Sequence, residues 1–133
     1  MLIAVVHRII LTVRVFIVED SPLIRKRIID NLHSIGGFSV VGFAESEDDA
    51  VAAITEAKPD VVITDIRLKE GNGIEVVRQV RLAPFARRPK IYVLSNYASP
   101  EYRHECELVG ADAFFDKSGE YDRFLDTLQA FVH

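Results

Sequence analysis

The sequence is poor in cysteine and has no excess of basic residues, and each shortage argues against a class of protein. Cys106 is the single cysteine, so the chain cannot form an internal disulfide. This usage is typical of a reducing compartment, and we expect a cytoplasmic protein. Twenty acidic residues face sixteen basic ones, and the net charge of −4 argues against direct nucleic-acid binding. A chain of 133 residues has room for one ordinary domain but not for two.

The sequence also lacks an apolar run long enough to cross a membrane. Residues 1–13 are almost wholly apolar, but they fall short of the roughly 18 apolar residues that a span needs. No basic segment precedes them and no small-residue cleavage site follows, so they make a poor signal peptide. We expect no membrane insertion. For the extension 1–12 we consider a longer first strand, an arm that pairs with another chain, or a misassigned start codon. The last explanation, or a contact specific to a crystal, is favoured.

Residues 13–133 alternate between apolar runs typical of strands and segments whose apolar residues recur at helical spacing. The runs are residues 13–18, 38–44, 61–65, 91–94 and 113–115. Two helices have typical starts at Ser21-Pro22 and Ser99-Pro100, with serine as the N-cap and proline at the first helical position. Such alternation predicts an α/β fold, in which right-handed crossovers build a parallel sheet covered by helices on both faces.

Polar side chains follow four of the five predicted strands. They are Glu19, Asp20, Asp65, Ser95 and Lys117. Taken singly, each has an ordinary explanation as a solvated acid, a helix cap or an exposed lysine. Because the carboxyl ends of parallel strands lie on one edge of the sheet, we expect all five to meet there.

The predicted cluster suits phosphoryl transfer. Its carboxylates would repel one another unless a cation joined them, and oxygen ligands of this kind suit Mg²⁺ with several retained waters. Lys117 adds a second positive charge, and a protruding Asp65 would act as the nucleophile and become an acyl phosphate.

These motifs together resemble the receiver domain of two-component response regulators, which has a flavodoxin-like doubly wound sheet of strand order 2-1-3-4-5. The resemblance covers residues 13–133 through FIVEDSP, VVITDIRLKEGNG, YVLSN and AFFDKS. It implies that Asp65 is the phospho-acceptor and that Lys117 and Ser95 assist it. Asp20, Asp65 and the backbone carbonyl of Arg67 would bind Mg²⁺ or Mn²⁺, and Glu19 would act through metal-bound water.

The resemblance also implies a switch and its partners. Ser95 matches the switch hydroxyl and Phe114 the aromatic residue that turns inward with it, while Gly73 matches the glycine that turns the loop into the third helix. A histidine kinase or phosphotransfer protein would supply the phosphoryl group. The face made by the fourth helix, fifth strand and fifth helix would then bind a downstream protein or form a homodimer. Since the last helix closes near His133, we expect a stand-alone regulator that is not itself an enzyme.

Three positions depart from the family pattern. Lys69 stands where proline is frequent, so the loop is expected to be less rigid. Ser118 stands where proline in a cis peptide is usual, and both isomers stay open because a cis bond there would cost about 3–4 kcal/mol. Phe114 lacks a tyrosine hydroxyl, so a switch would work by packing alone.

Further residues near the strand ends are candidates for tuning and docking. Arg67 and Tyr97 lie two residues beyond Asp65 and Ser95, and we hypothesise that they shield the acyl phosphate. Ile24 and the basic run 25–27 could dock the phosphodonor, although Ile24 is equally explained as a core residue.

Other functions remain as alternatives. A relay shuttle would pass the phosphoryl group onward. A haloacid-dehalogenase-type phosphatase needs a second acid two residues after the nucleophile, where this chain has Arg67. A flavodoxin-like binding module would need a phosphate-cradling loop after the first strand, and the sequence has none there.

Overall fold

The computed structural model describes residues 11–132, so the predictions for residues 1–10 lie outside the described part of the chain. Ten elements alternate between strand and helix. The strands are β1 (Val13–Val18), β2 (Phe38–Ala44), β3 (Val61–Thr64), β4 (Lys90–Ser95) and β5 (Ala113–Asp116). The helices are α1 (Pro22–Ile35), α2 (Glu47–Ala57), α3 (Gly73–Leu82), α4 (Pro100–Leu108) and α5 (Tyr121–Val132).

The five strands form one parallel sheet in the order β2-β1-β3-β4-β5, which confirms the predicted fold class and strand order. The central strand, β3, is buried throughout, as its β-branched run predicts. Its register with β1 aligns Thr64 with Val18, so Asp65 and Glu19 follow directly on neighbouring strands.

Helices cover both faces of the sheet, and each face has its own core. One core joins the sheet to α2, α3 and α4 and includes Ile54, Val77 and Cys106. The other joins it to α1 and α5 and includes Ile28 and Leu128. Among residues 11–132, no helix is long and apolar enough to cross a membrane.

Side-chain caps begin the helices where the sequence predicts. The hydroxyls of Ser21, Ser46 and Ser99 accept hydrogen bonds from the backbone amides of the residues three positions later. Asn72 does the same for α3 with its side-chain oxygen. Because α1, α2, α3 and α4 each follow a strand of the parallel sheet, these capped starts lie at its carboxyl edge, where the predicted site is.

Candidate functional site

Lys117 joins two buried carboxylates at the carboxyl edge of the sheet. Its Nζ lies 2.6 Å from Asp65 Oδ2 and 2.7 Å from Glu19 Oε1. Asp65 is 7 % exposed and Glu19 is 2 % exposed, although both are acidic. Burial of this kind is costly unless the charge is paired, so the contact with Lys117 is what permits it.

Glu19 and Asp65 share the ammonium group of Lys117, and the pKa values of Glu19 and Lys117 are both shifted. Burial raises the pKa of Glu19, and the hydrogen bond and charge of Lys117 only partly oppose it, while the nearby Asp65 charge adds to the rise. Burial alone would lower the pKa of Lys117, but the hydrogen bonds and charges of Asp65 and Glu19 outweigh it and raise that pKa. The raised pKa of Lys117 favours its charged form, which can pair with both carboxylates.

The predicted metal ligands form an incomplete cluster in this conformation. Within residues 11–132, no three His, Cys, Asp or Glu side chains lie close enough together to hold a metal ion. Both carboxylate oxygens of Glu19 already accept hydrogen bonds, one from Lys117 Nζ at 2.7 Å and the other from the Ser21 amide at 3.1 Å. Asp20 is the next residue and is partly exposed. The carboxylate oxygens of this cluster are ligands that suit a hard cation such as Mg²⁺. Because both oxygens of Glu19 already accept hydrogen bonds, its geometry fits a contact with the metal through bound water.

The Asp65 carboxylate is fixed by the backbone around it. Asp65 Oδ1 accepts a hydrogen bond of 2.6 Å from the Ile66 amide, and the Asp65 amide donates to Val18 O at 3.0 Å. Gly73 begins α3 against this segment, and its amide donates to Ile66 O at 2.7 Å. A Cβ atom at Gly73 would lie only 1.7 Å from Asp65 O. Glycine is required here by close backbone approach, because its φ is not positive.

The loop after Asp65 is tied to the segment that follows β2. The Lys69 amide donates to Glu45 O at 3.0 Å, and the Glu47 amide donates to Glu70 O at 2.9 Å. Glu47 Oε1 in turn accepts from the Asn72 amide at 3.1 Å. These bonds hold the loop although Lys69 stands in place of proline.

The predicted switch residues lie on neighbouring strands: Ser95 is the last residue of β4, and Phe114 is the second residue of β5. Ser95 is fully buried, and its Oγ accepts a hydrogen bond of 3.1 Å from the Tyr97 amide. Phe114 is already buried, at 9 % exposure, so an inward turn would start from a packed ring. Among the described residues no peptide bond is cis, so the bond between Lys117 and Ser118 is trans.

Arg103, which was not predicted as a site residue, covers Phe114. The guanidinium of Arg103 lies 4.8 Å from the centroid of the Phe114 ring and donates to Glu120 Oε1 at 2.6 Å. The same Glu120 oxygen accepts from the Asp116 amide at 2.9 Å. Arg103 and Glu120 thus join α4 to β5 and to the loop that follows β5. Charged residues on an amphipathic helix give no sequence signal for such a contact.

Arg67 and Tyr97, predicted to act together, are in contact. The Arg67 guanidinium lies 4.5 Å from the centroid of the Tyr97 ring, and the Tyr97 ring packs edge-on against Tyr102. The stack is partly exposed, since Tyr97 is 41 % exposed. It joins the loop after Asp65 to the loop after Ser95.

The predicted docking residues on α1 already have partners within the chain. Arg25 donates to Glu19 O and pairs with Glu45, Lys26 pairs with Asp30, and Arg27 lies over the Tyr121 ring. Ile24 is partly buried against the core beneath α1.

A different residue of α1 exposes an apolar side chain. Leu23 is 79 % exposed on the first turn of the helix. Leu23 lies one position before the apolar stripe of α1, which begins at Ile24. The helical spacing of that stripe therefore indicates from sequence alone that Leu23 is exposed.

Comparison with known proteins gives a consistent result. Residues 15–129 match the family model described as the response regulator receiver domain. The DNA-binding transcriptional activator DevR/DosR of Mycobacterium tuberculosis is 36 % identical over 107 residues, which cover 79 % of this chain and 48 % of that protein. A protein-glutamate methylesterase/protein-glutamine glutaminase of Clostridium acetobutylicum is 30 % identical over 105 residues, covering 79 % of this chain and 30 % of that protein.

Solved structures agree with the sequence matches. The response regulator domain of Thermotoga maritima CheB superposes with a TM-score of 0.77 at 27 % identity, covering 90 % of this chain and 92 % of that one. The signal receiver domain of NarL from M. tuberculosis gives 0.80 at 25 % identity, covering 90 % and 95 %. The chain spans less than two thirds of the length of the curated relatives, between 19 % and 59 %.

Proposed function

The chain belongs to the response regulator receiver family of two-component systems, and we propose that Asp65 is its phospho-acceptor. Receiver domains of response regulators interact with histidine kinases, and here a histidine kinase or phosphotransfer protein would be the donor. The observation that carries the proposal is the contact between buried Asp65 and Lys117. Within residues 11–132 the buried carboxylates are Asp65 and Glu19, and both contact Lys117 Nζ. Of the two, Asp65 is the one that follows β3, the central strand of the sheet.

The chemistry follows from this arrangement. An Asp65 carboxylate oxygen attacks the phosphorus of a phosphohistidine, a new P–O bond forms, and the P–N bond breaks as the imidazole leaves. Lys117 Nζ, now shared between two carboxylates, is placed to pair with a phosphoryl oxygen. A Mg²⁺ or Mn²⁺ ion held by Asp20, Asp65 and the Arg67 carbonyl, and by Glu19 through water, would neutralise charge on the phosphoryl oxygens.

Phosphorylation would reach the surface through Ser95. The new group adds a charge of about −1.5 to −2 beside Asp65. To bind it, the Ser95 hydroxyl would reorient from the Tyr97 amide, which shifts the loop before α4. Phe114 lies beneath Arg103, so movement of either residue would disturb the pair with Glu120 and change the face made by α4, β5 and α5.

A direct experiment tests the acceptor. The full chain is incubated with acetyl phosphate and Mg²⁺, and the added phosphoryl group is mapped by mass spectrometry. We expect one adduct on Asp65, its loss in Asp65→Asn, and its suppression by EDTA. Asp48→Asn removes an exposed acid of α2 and serves as the control. An adduct that persists on another residue in Asp65→Asn would contradict the proposal.

We further propose that the α4–β5–α5 face of this chain binds a protein partner or a second copy. Leu108, 71 % exposed on α4, is an apolar residue that such an interface would cover. Beryllofluoride treatment followed by light scattering tests dimer formation. Incubation with a purified phosphotransfer protein tests the alternative: rapid back-transfer from phosphorylated Asp65 would indicate a relay shuttle.

A further inference from the structure

The edge of the sheet opposite Asp65 carries a groove of about 870 Å³, which we call the basal groove. It lies at the amino-terminal ends of β1, β3 and β4 and beside the loop that follows α3. Five basic residues line it: Arg14, Lys58, Arg87, Arg88 and Lys90. Asp60 is the one acid among the described lining residues, in a chain whose acids otherwise outnumber its bases.

Most of these cations have no acidic partner. Asp60 Oδ2 accepts a hydrogen bond of 2.9 Å from the Arg14 backbone amide, so the one acid is already engaged. Lys90 Nζ is 4.0 Å from Asp112, a long contact. Within residues 11–132, the side chains of Lys58, Arg87 and Arg88 form no hydrogen bond or ion pair. The basal groove therefore has five basic lining residues against one acid, and the side chains of Lys58, Arg87 and Arg88 have no ion-pair partner within residues 11–132.

The loop that carries Arg87 and Arg88 is anchored rather than loose. Arg81 holds its end: Nη1 donates to Pro89 O at 2.7 Å, and Nη2 pairs with Asp112 at 2.7 Å. The Lys90 amide donates to Asp60 O at 2.9 Å, which joins the loop to the start of β3. The backbone at the end of this loop is thus anchored before any ligand arrives, while the side chains of Arg87 and Arg88 are exposed. An anchored backbone lowers the cost of ordering the loop around a ligand.

The groove also has an apolar wall. Phe85 and Phe131 line it together with Pro59 and Pro84. A volume of several hundred cubic ångströms, apolar walls and a few charged groups are the usual properties of a small-molecule site. Two arginines favour phosphate in particular, since each guanidinium offers a planar fork of donors that matches phosphate oxygens.

We infer that the basal groove binds a small organic phosphate, a phosphate ester whose apolar or aromatic body is of nucleotide size. The phosphate would pair with Arg87, Arg88 and Lys58, and the body would pack on Phe85 and Phe131. The site lies at the opposite edge of the sheet from Asp65, so a ligand there leaves the acceptor free. The inference does not depend on phosphorylation of Asp65.

Titration of the full chain with AMP, adenosine and pyrophosphate tests the inference, with amide chemical shifts as the readout. We expect AMP to bind at least tenfold more tightly than adenosine, which lacks the phosphate, and than pyrophosphate, which lacks the body. Shifts should centre on residues 58–60 and 85–90. Arg88→Glu should weaken AMP binding about tenfold or more, as expected for loss of a charge-assisted contact.

Arg78→Glu is the matched control, since it reverses an exposed arginine of α3 that is paired with Glu75 and lies outside the groove. Three outcomes would overturn the inference. They are no binding of AMP at millimolar concentration, an equal loss in Arg78→Glu, and shifts confined to the surroundings of Lys117. Binding of an acidic peptide without binding of AMP would assign the groove to a protein partner and would also overturn it.

Discussion

The two edges of the sheet hold charge in opposite ways. At the carboxyl edge, Glu19, Asp65 and Lys117 are buried and in direct contact. At the amino edge, Arg87 and Arg88 are exposed and have no acidic partner within the described chain. Water can solvate an exposed charge, so it needs no partner, whereas a buried charge must be paired. A fixed internal pair suits chemistry at one atom, and unpaired surface charge suits capture of an ion from solution.

Cys106 shows what burial does without a cation nearby. It is fully buried on α4, and burial, with a smaller effect from Glu105, raises the pKa of its thiol to about 11. The group therefore stays neutral at physiological pH. Burial also raises the pKa of Glu19, but there Lys117 opposes the rise. Lys117 thus gives Glu19 a neighbouring positive charge that opposes the effect of burial, whereas burial and Glu105 both raise the pKa of Cys106.

The largest effect should come from Gly73, where the backbone holds the carboxyl edge together. Gly73→Ala would place a Cβ atom 1.7 Å from Asp65 O. Because this contact is with backbone and cannot be relieved by a rotamer change, we expect a loss of about 4 kcal/mol in the free energy of unfolding. Urea denaturation measures it. Gly119→Ala is the control, because a Cβ there meets nothing within 4 Å. Similar stability in both variants would show that the segment around Asp65 adapts freely.

The next largest loss of stability should come from substitution of Lys117. Lys117→Met leaves Glu19 and Asp65 buried without a counter-charge, and removal of one partner from a buried ion pair costs about 3 kcal/mol. Lys58→Met makes the same change at the amino edge, where the lysine has no partner, and should change stability by less than about 0.5 kcal/mol. Denaturation midpoints measured at low and high salt would compare the two. Equal losses would remove the distinction between the two edges.

The sequence predicted the fold and the convergence of polar residues because both depend on local periodicity. Apolar runs, serine caps and polar strand ends are read within a few residues, and the parallel topology then brings Asp65 and Lys117 together. The contact of Lys117 with Glu19 was not predicted, since it joins residues 98 positions apart and depends on rotamers. The family resemblance implies instead that Glu19 contacts the metal through bound water, and that role stays a prediction.

Other features could not be predicted because they depend on side-chain packing across elements. The contact of Arg103 with Phe114 and Glu120 joins two helices and a strand, and a charged residue on a helix is ordinarily solvated. Gly73 was predicted as a turn residue, but its role is to admit the backbone of Asp65. Steric demands of this kind appear only once the loop has been folded against the helix.

The smallest expected effect is on the lifetime of the acyl phosphate and comes from an exposed arginine. Both edges of the sheet carry exposed arginines. The guanidinium of Arg67 is exposed like that of Arg88, but it lies 4.5 Å from the centroid of the Tyr97 ring. A cation–π contact at an exposed site contributes about 0.5–1 kcal/mol, which corresponds to a change of roughly two- to fivefold. If the stack shields the acyl phosphate from water, Arg67→Ala, Tyr97→Ala and the double variant should each shorten its lifetime by that factor.

Release of phosphate from the phosphorylated chain measures this lifetime, and Arg88→Ala controls for loss of an exposed arginine. If the two residues act as one unit, the double variant should resemble either single variant. If they act independently, their effects should multiply. An unchanged lifetime in the double variant would show that the stack does not shield the phosphoryl group. In that case Arg67 and Arg88 would be equivalent surface charges, and the difference between the two edges would be confined to buried groups.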